Sequence, residues 1–309
     1  MRRYTRITPL QTPTAVALGC FDGVHLGHAR VLQSALRGRR GGLSPAVFTF
    51  ATGGKDCAAA KQALALMSPQ AKEEEFRRMG FDLYLAVDFA SVRELTPEQF
   101  VRDVLFGALR AKRVSCGFNY HFGRGGTGNS ALLRALCAQY GIRTEICDAV
   151  EFCGAPVSST RIREAVAAGD MELARRMLGR PFRVDFEVVR GNRIGRLLGT
   201  PTINQPFPAS FVLPKFGVYG SSVLVDGKRY HGVTNVGVKP TVGSHIPLAE
   251  TWIAGFQGDL YGRRVPVDLL GFLRPEKKFA DLTALREQIL RDAEQAKLLW
   301  AQMEKGTGF

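Results

Sequence analysis

The stretch Gly19-Cys20-Phe21-Asp22-Gly23-Val24-His25-Leu26-Gly27-His28 decides how the first half of the chain is read. Before it, Thr14–Leu18 is a short apolar run bounded by Pro13 and Gly19; after it, Val31, Leu32, Ala35 and Leu36 recur at helical spacing over Ala29–Arg37. A strand therefore gives way to a helix, with two histidines at the junction. Backbone N–H groups at a helix N-terminus favour anions, glycines let a ligand approach the backbone, and imidazoles three residues apart can face one phosphate. The set suits chemistry at a nucleotide α-phosphate. Taken singly, the fragments have plainer readings: a tight βα connection, part of a zinc site, or two solvated side chains. Gly19, Phe21, Asp22, Gly23, His25, Gly27 and His28 together at one junction favour phosphate handling.

Outward from this point the chain alternates. Strand candidates at Thr14–Leu18, Pro45–Phe50, Leu83–Val87, Arg113–Gly117 and Arg143–Val150 are separated by helix signals. Ser68-Pro69 and Thr96-Pro97 each place an N-cap before a first-turn proline, Gln99 completes a capping box with Thr96, and Gly80 and Gly141 stop helices. Such alternation predicts βαβ units, hence a doubly wound parallel sheet with ligands beyond the carboxyl ends of its strands. From about residue 181 the pattern becomes short β-like runs: Phe182–Arg190, Val218–Val225, Lys228–Val236, Glu250–Phe256 and Arg264–Leu270. Asp226-Gly227 is a hairpin signal and Gly258–Gly262 a turn, so a small antiparallel β-barrel is expected. A final helix, Leu282–Trp300, carries an apolar face of Leu282, Leu285, Ile289, Ala293, Ala296 and Trp300, read as packing. The expected domains are 1–180 and 181–309, and Ala51–Ala60 reads as a loose loop.

With 309 residues and 45% hydrophobic content, the chain has enough apolar material for two ordinary cores. Its six cysteines, Cys20, Cys57, Cys116, Cys137, Cys147 and Cys153, form no Cys-x-x-Cys pair, which points to reduced thiols and a cytoplasmic protein. The basic opening Met1–Ile7 leads into no apolar core of a leader, and no run is long enough to span a bilayer. The net charge of +14 divides as +9 over 1–180 and +5 over 181–309, with no concentrated stripe and no aromatic–basic interleaving. Attraction of polyanionic nucleotides explains it more economically than nucleic acid.

The histidine signature resembles that of the HxGH nucleotidyltransferases, and its full Gly-x-Phe-Asp-Gly-x-His-x-Gly-His form resembles the bacterial bifunctional riboflavin kinase/FAD synthetase family. Two further motifs carry the likeness: Gly117-Phe118-Asn119-Tyr120-His121-Phe122-Gly123 and Val157-Ser158-Ser159-Thr160-Arg161-Ile162-Arg163. Read alone, the first is equally a plain βα loop and the second a helix cap with exposed arginines. The resemblance implies that Gly19, Phe21, Asp22, Gly27 and Asn119 hold the nucleotide and that Ser159, Thr160 and Arg163 bind phosphate. His25 and His28 would stabilise charge while the FMN phosphate attacks the α-phosphorus of ATP and pyrophosphate leaves, with Mg²⁺ on its oxygens. Asp22 would orient a histidine or a metal-bound water, or form an Asx turn. One departure stands out: family members commonly carry Thr-Phe-Asp-Pro-His-Pro where this chain has Thr49-Phe50-Ala51-Thr52-Gly53-Gly54.

In the second half, Gly191 to Asn204 resembles the riboflavin kinase signature, a glycine-bearing loop followed by Pro-Thr-x-Asn. By residue type alone Pro201-Thr202-Ile203-Asn204 is as compatible with a turn. The resemblance makes Gly191, Gly195 and Gly199 phosphate-loop residues, Thr202 and Asn204 Mg²⁺ ligands, and Glu250 the general base on the ribityl hydroxyl. It implies ATP as co-substrate, riboflavin and FMN as substrates, no membrane or nucleic-acid partner, and a monomer or weak homo-oligomer. Two other readings remain at this stage: a kinase whose first half is weak or silent, and a nucleotide- or RNA-binding regulator.

Overall fold

A computed structural model describes residues 1–51, 64–191, 200–238 and 246–306. Their contacts divide into two compact units, one of Met1–Ala65 and Pro69–Ser159, the other of Leu66–Ser68 and Thr160 onward. Most of the loop expected over Ala51–Ala60 lies outside the described residues, as do Gly195 and Gly199.

The first unit is built on six strands: β1 (Arg2–Tyr4), β2 (Thr14–Leu18), β3 (Ser44–Phe50), β4 (Leu83–Val87), β5 (Ala111–Gly117) and β6 (Arg143–Cys147). All pairs are parallel, in the order β1-β4-β3-β2-β5-β6. Every residue of β2 is buried, as a continuous apolar run must be when helices cover both faces of a parallel sheet. The chain leaves β2 for β3 on one side, while β5 lies on the other. The carboxyl end of β2 is therefore the topological switch point, where the crevice of a doubly wound sheet opens. The helices are α1 (Leu26–Leu36), α2 (Pro69–Met79), α3 (Pro97–Gln99, running into π-helical Phe100–Ala108) and α4 (Ser130–Gln139). The Thr96 capping box forms: the Thr96 N–H donates to Gln99 Oε1 at 2.8 Å and the Gln99 N–H to Thr96 Oγ1 at 3.2 Å. Burial pushes the Cys116 thiol up to about 12, and the five described cysteines are free, with Cys116, Cys137 and Cys147 buried as packing residues.

The second unit opens with α5 (Ser159–Ala168), counted from Thr160, and α6 (Met171–Leu178). An antiparallel sheet follows: β7 (Phe182–Val184), β8 (Thr202–Pro206), β9 (Gly217–Val225), β10 (Lys228–Val238), β11 (Pro247–Ile253) and β12 (Val267–Arg274), ordered β7-β12-β9-β10-β11-β8. It curls into a half-barrel, and single bridges Glu187↔Arg264 and Val189↔Asn204 carry the chain after β7 across to the opposite edge strand, β8. Phe182–Arg190 is thus a strand only as far as Val184. Thr202–Pro206, compatible with a turn by residue type, is a strand because β11 supplies the pairing that local propensity does not reveal. The last helix, α7 (Leu282–Gly306), buries Ala293 and Ala296 against Val218 and Val233. Among the described residues no helix is long and apolar enough to cross a membrane.

Candidate functional site

Each unit gathers its own constellation. In the first, His25 is the N-cap of α1: its backbone is extended (φ −75°, ψ 175°), and its Nδ1 accepts the His28 N–H at 3.3 Å. An accepting Nδ1 leaves Nε2 to carry the proton of the neutral ring. The two imidazoles stack with centroids 3.6 Å apart and planes 18° from parallel. Gly27 permits this: a Cβ there would stand 3.1 Å from His25 Cε1. A stacked pair at the N-terminus of a helix, at the switch point of the sheet, places two imidazoles beside the first backbone N–H groups of that helix.

The turn before the helix is strained. Gly23 has φ +78°, but so, without a glycine's freedom, do Phe21 (φ +50°) and the β-branched Val24 (φ +41°) lie in the left-handed region. Packing offsets the cost: the buried Phe21 ring lies edge-on to Phe76 at 5.9 Å and to His28 at 5.4 Å. Gly19 leaves room for that ring, since a Cβ there would approach it to 3.0 Å. Ser159 Oγ donates to the Asp22 carbonyl at 2.9 Å, which ties the second motif to the first. Gly19, Phe21, Asp22, His25, Gly27, His28 and Ser159 therefore come together. Asn119 is exposed just past β5, the strand beside β2, and Thr160 and Arg163 lie on α5, which from Thr160 is counted with the second unit.

Two residues at this turn were not singled out from the sequence. Lys72, on α2 and 2% exposed, donates from Nζ to the Cys20 carbonyl at 2.7 Å. Thr49 Oγ1, fully buried on β3, donates to the same oxygen at 3.0 Å. The available signal was a lysine one helical turn before Phe76, on the face that α2 buries.

In the second unit, strand register does the assembling. Asn204 on β8 is directly opposite Glu250 on β11, which puts their side chains on one face. Two residues earlier on β8, Thr202 Oγ1 donates to Glu250 Oε1 at 3.1 Å. Gly191 lies against the same amide: a Cβ on it would come within 2.5 Å of Asn204 Nδ2. On the other side of β11, Asn235 of β10 is also opposite Glu250 and donates from Nδ2 to Glu276 Oε1 at 2.9 Å, extending a polar row that the sequence did not suggest.

Next to this row is a cavity of about 360 Å³ whose lining includes Val188, Pro201, Thr202, Phe256, Gly258 and Tyr261. Its walls are mostly apolar, suited to a flat heterocycle. Among the described residues no three His, Cys, Asp or Glu side chains cluster as a metal cage. A hydroxyl, an amide and a carboxylate are instead a sparse hard-oxygen set, which fits a cation that takes its remaining ligands from phosphate and water.

Residues 7–161 match the protein family described as FAD synthetase, and residues 178–300 the family described as riboflavin kinase. The chain is 36% identical over 310 residues to a bifunctional riboflavin kinase/FMN adenylyltransferase of Pseudomonas fluorescens, with 97% of each chain covered. It is 35% identical over 288 residues to the protein of that description in Escherichia coli (strain K12), with 91% of each covered. A crystal structure described as a macrolide-efflux protein from Streptococcus pneumoniae superposes with a TM-score of 0.83 and 29% identity, over 96% of this chain and 98% of that one.

Proposed function

The chain belongs to the bifunctional riboflavin kinase/FMN adenylyltransferase family, and we propose that its two reactions are carried by the His25/His28 turn and by the Thr202–Asn204–Glu250 row. It is an enzyme with both activities: it phosphorylates riboflavin to FMN and adenylylates FMN to FAD. On the proposed reading residues 1–180 serve the second step and 181–309 the first, in the cytoplasm, where free thiols persist. The observation that carries it is one constellation in each unit, each made of the groups its own reaction requires.

For adenylyl transfer, an FMN phosphate oxygen attacks the α-phosphorus of ATP while the bond to the bridging oxygen of the departing pyrophosphate breaks. Charge builds on the α-phosphate oxygens. His25 Nε2–H, His28 and the first N–H groups of α1 donate to those oxygens, preorganised by the N-cap and the stacking. Asn119, Ser159, Thr160 and Arg163 hold the nucleotide and its phosphates.

For phosphorylation, the Glu250 carboxylate takes the proton of the ribityl 5′-hydroxyl as that oxygen attacks the γ-phosphorus, and ADP departs. The Thr202 hydroxyl holds the carboxylate by donating to Oε1, which keeps its own lone pairs for a cation. Thr202 and Asn204 would hold Mg²⁺, which when bound offsets the charge of the phosphate oxygens. Gly191 lies against the Asn204 amide, and the resemblance makes it, Gly195 and Gly199 phosphate-binding residues. The adenine occupies the apolar cavity beside Thr202.

Separating the flavins formed from riboflavin, ATP and Mg²⁺, and from FMN, ATP and Mg²⁺, tests both assignments. The reading stands if Glu250→Gln slows FMN formation about a thousandfold and His28→Ala slows FAD formation about a hundredfold, each leaving the other step intact. It falls if either variant is fully active in its own step.

A further inference from the structure

Resting on the reading of the turn as the adenylyl-transfer site, we infer that Lys72 is a positioning residue for that reaction. Its buried amine fixes the Cys20 carbonyl, and with it the backbone that presents His25 and His28. The Cys20 oxygen receives two donors from two different elements, Lys72 Nζ of α2 at 2.7 Å and Thr49 Oγ1 of β3 at 3.0 Å. Both donors are out of solvent, Lys72 being 2% exposed and Thr49 fully buried. Four residues after Lys72 on the same helix face, the fully buried Phe76 braces Phe21, the residue that follows the captured carbonyl. Helix α2 thus grips the turn twice, through a polar contact on Cys20 and an apolar one on Phe21.

The turn has a reason to be gripped. Phe21 at φ +50° and Val24 at φ +41° occupy conformations that persist only where the surroundings over-determine them. A lysine is a costly residue to bury, and a neutral donor such as Thr49 is the more ordinary partner for a buried carbonyl. In its protonated form the amine gives a stronger hydrogen bond than a neutral donor and adds positive potential beside the place where a polyphosphate reacts. Release of the carbonyl would let the 20–21 peptide rotate, and the stacked imidazoles and the α1 N–H groups would leave their alignment. Such a loss falls on the transition state more than on substrate binding, because remote contacts of FMN and ATP are untouched.

The test uses the full chain as Lys72→Met, Thr49→Val, the double variant and His28→Ala. Adenylylation of FMN is followed at steady state, riboflavin phosphorylation serves as the internal control, and FMN binding is read by quenching of its fluorescence. For Lys72→Met we expect kcat for adenylylation to fall about thirtyfold with KM for FMN and ATP changed less than about threefold. For Thr49→Val we expect a loss of about fivefold in the same direction, and for the double variant a loss well short of the product of the two, because both donors act on one oxygen. Phosphorylation of riboflavin stays at the wild-type rate throughout.

The inference is overturned if Lys72→Met keeps its kcat, if the loss lies wholly in KM, or if the two substitutions multiply independently. Should Lys72→Met fail to fold, Thr49→Val decides alone: a lowered kcat with unchanged FMN binding supports the inference, and an unchanged kcat overturns it. His28→Ala separates the two levels. If it makes FAD at the wild-type rate, the assignment of the turn itself is wrong; if it is slowed about a hundredfold beside a fully active Lys72→Met, only the role of Lys72 is.

Discussion

The two constellations proposed to handle phosphate have opposite constructions. The first is written in ten consecutive residues, with His25 and His28 three apart at the start of one helix and the backbone bent through two non-glycine left-handed residues. The second uses extended strands, and its carboxylate and hydroxyl, Glu250 and Thr202, are 48 residues apart. A turn-and-helix site stores strain locally and depends on packing to hold it. A cross-strand site stores none, and depends on register, since a slip of one residue would send Glu250 to the other face of the sheet.

Perturbing the groups that touch substrate is the strongest way to break this contrast. Glu250→Gln should lower riboflavin phosphorylation about a thousandfold while leaving adenylylation of supplied FMN unchanged, as flavin separation will read. His28→Ala should cost adenylylation about a hundredfold, less because His25 and the helix N–H groups remain. A chain in which either substitution silenced both steps would refute the independence of the two sites.

Gly191→Ala probes the register site without touching its carboxylate. The new methyl group would collide with Asn204, at 2.5 Å from Nδ2. Displacement of that amide should slow the kinase about tenfold and raise its Mg²⁺ requirement, consistent with an overpacking cost of about 1–3 kcal/mol. A Mg²⁺ titration of the kinase rate checks it.

The smallest effect is expected outside both sites. Hydrogen bonding from Arg175, joined by Arg176, holds the Glu172 carboxyl on α6 at about 2 against an ordinary 4.5. Its folded value is depressed, so the stabilisation is complete above pH 4.5 and is lost as pH falls to about 2. The group is largely exposed and screened, so the contribution stays below about 1 kcal/mol. Thermal midpoints of wild type and Glu172→Gln should separate slightly above pH 4.5 and converge near pH 2, with neither flavin reaction affected.

Legibility followed the same division. The strand-to-helix junction at the two histidines, the Thr96 capping box and the parallel sheet were readable because each rests on neighbours within four residues or on a repeated strand–helix rhythm, whereas the cap by His25 was not. The β8 strand was hidden by the prolines at Pro201 and Pro206, which locally read as a turn, and only pairing with β11 overrides them. The resemblance pointed to Thr202, Asn204 and Glu250, but residue type and spacing did not show that one register joins them. Lys72 was passed over because a lysine on an otherwise charged helix reads as solvated.

The sequence by itself determined the two-part organisation, the fold class of each half and the contiguous glycine–histidine turn, because these follow from periodicity, caps and glycines that act over a few residues. Tertiary structure decided which face Glu250 occupies, that Asn235 stands beside it, and that Lys72 and Thr49 share the Cys20 carbonyl. Register and burial are properties of pairs of elements, and no single stretch of the chain contains them.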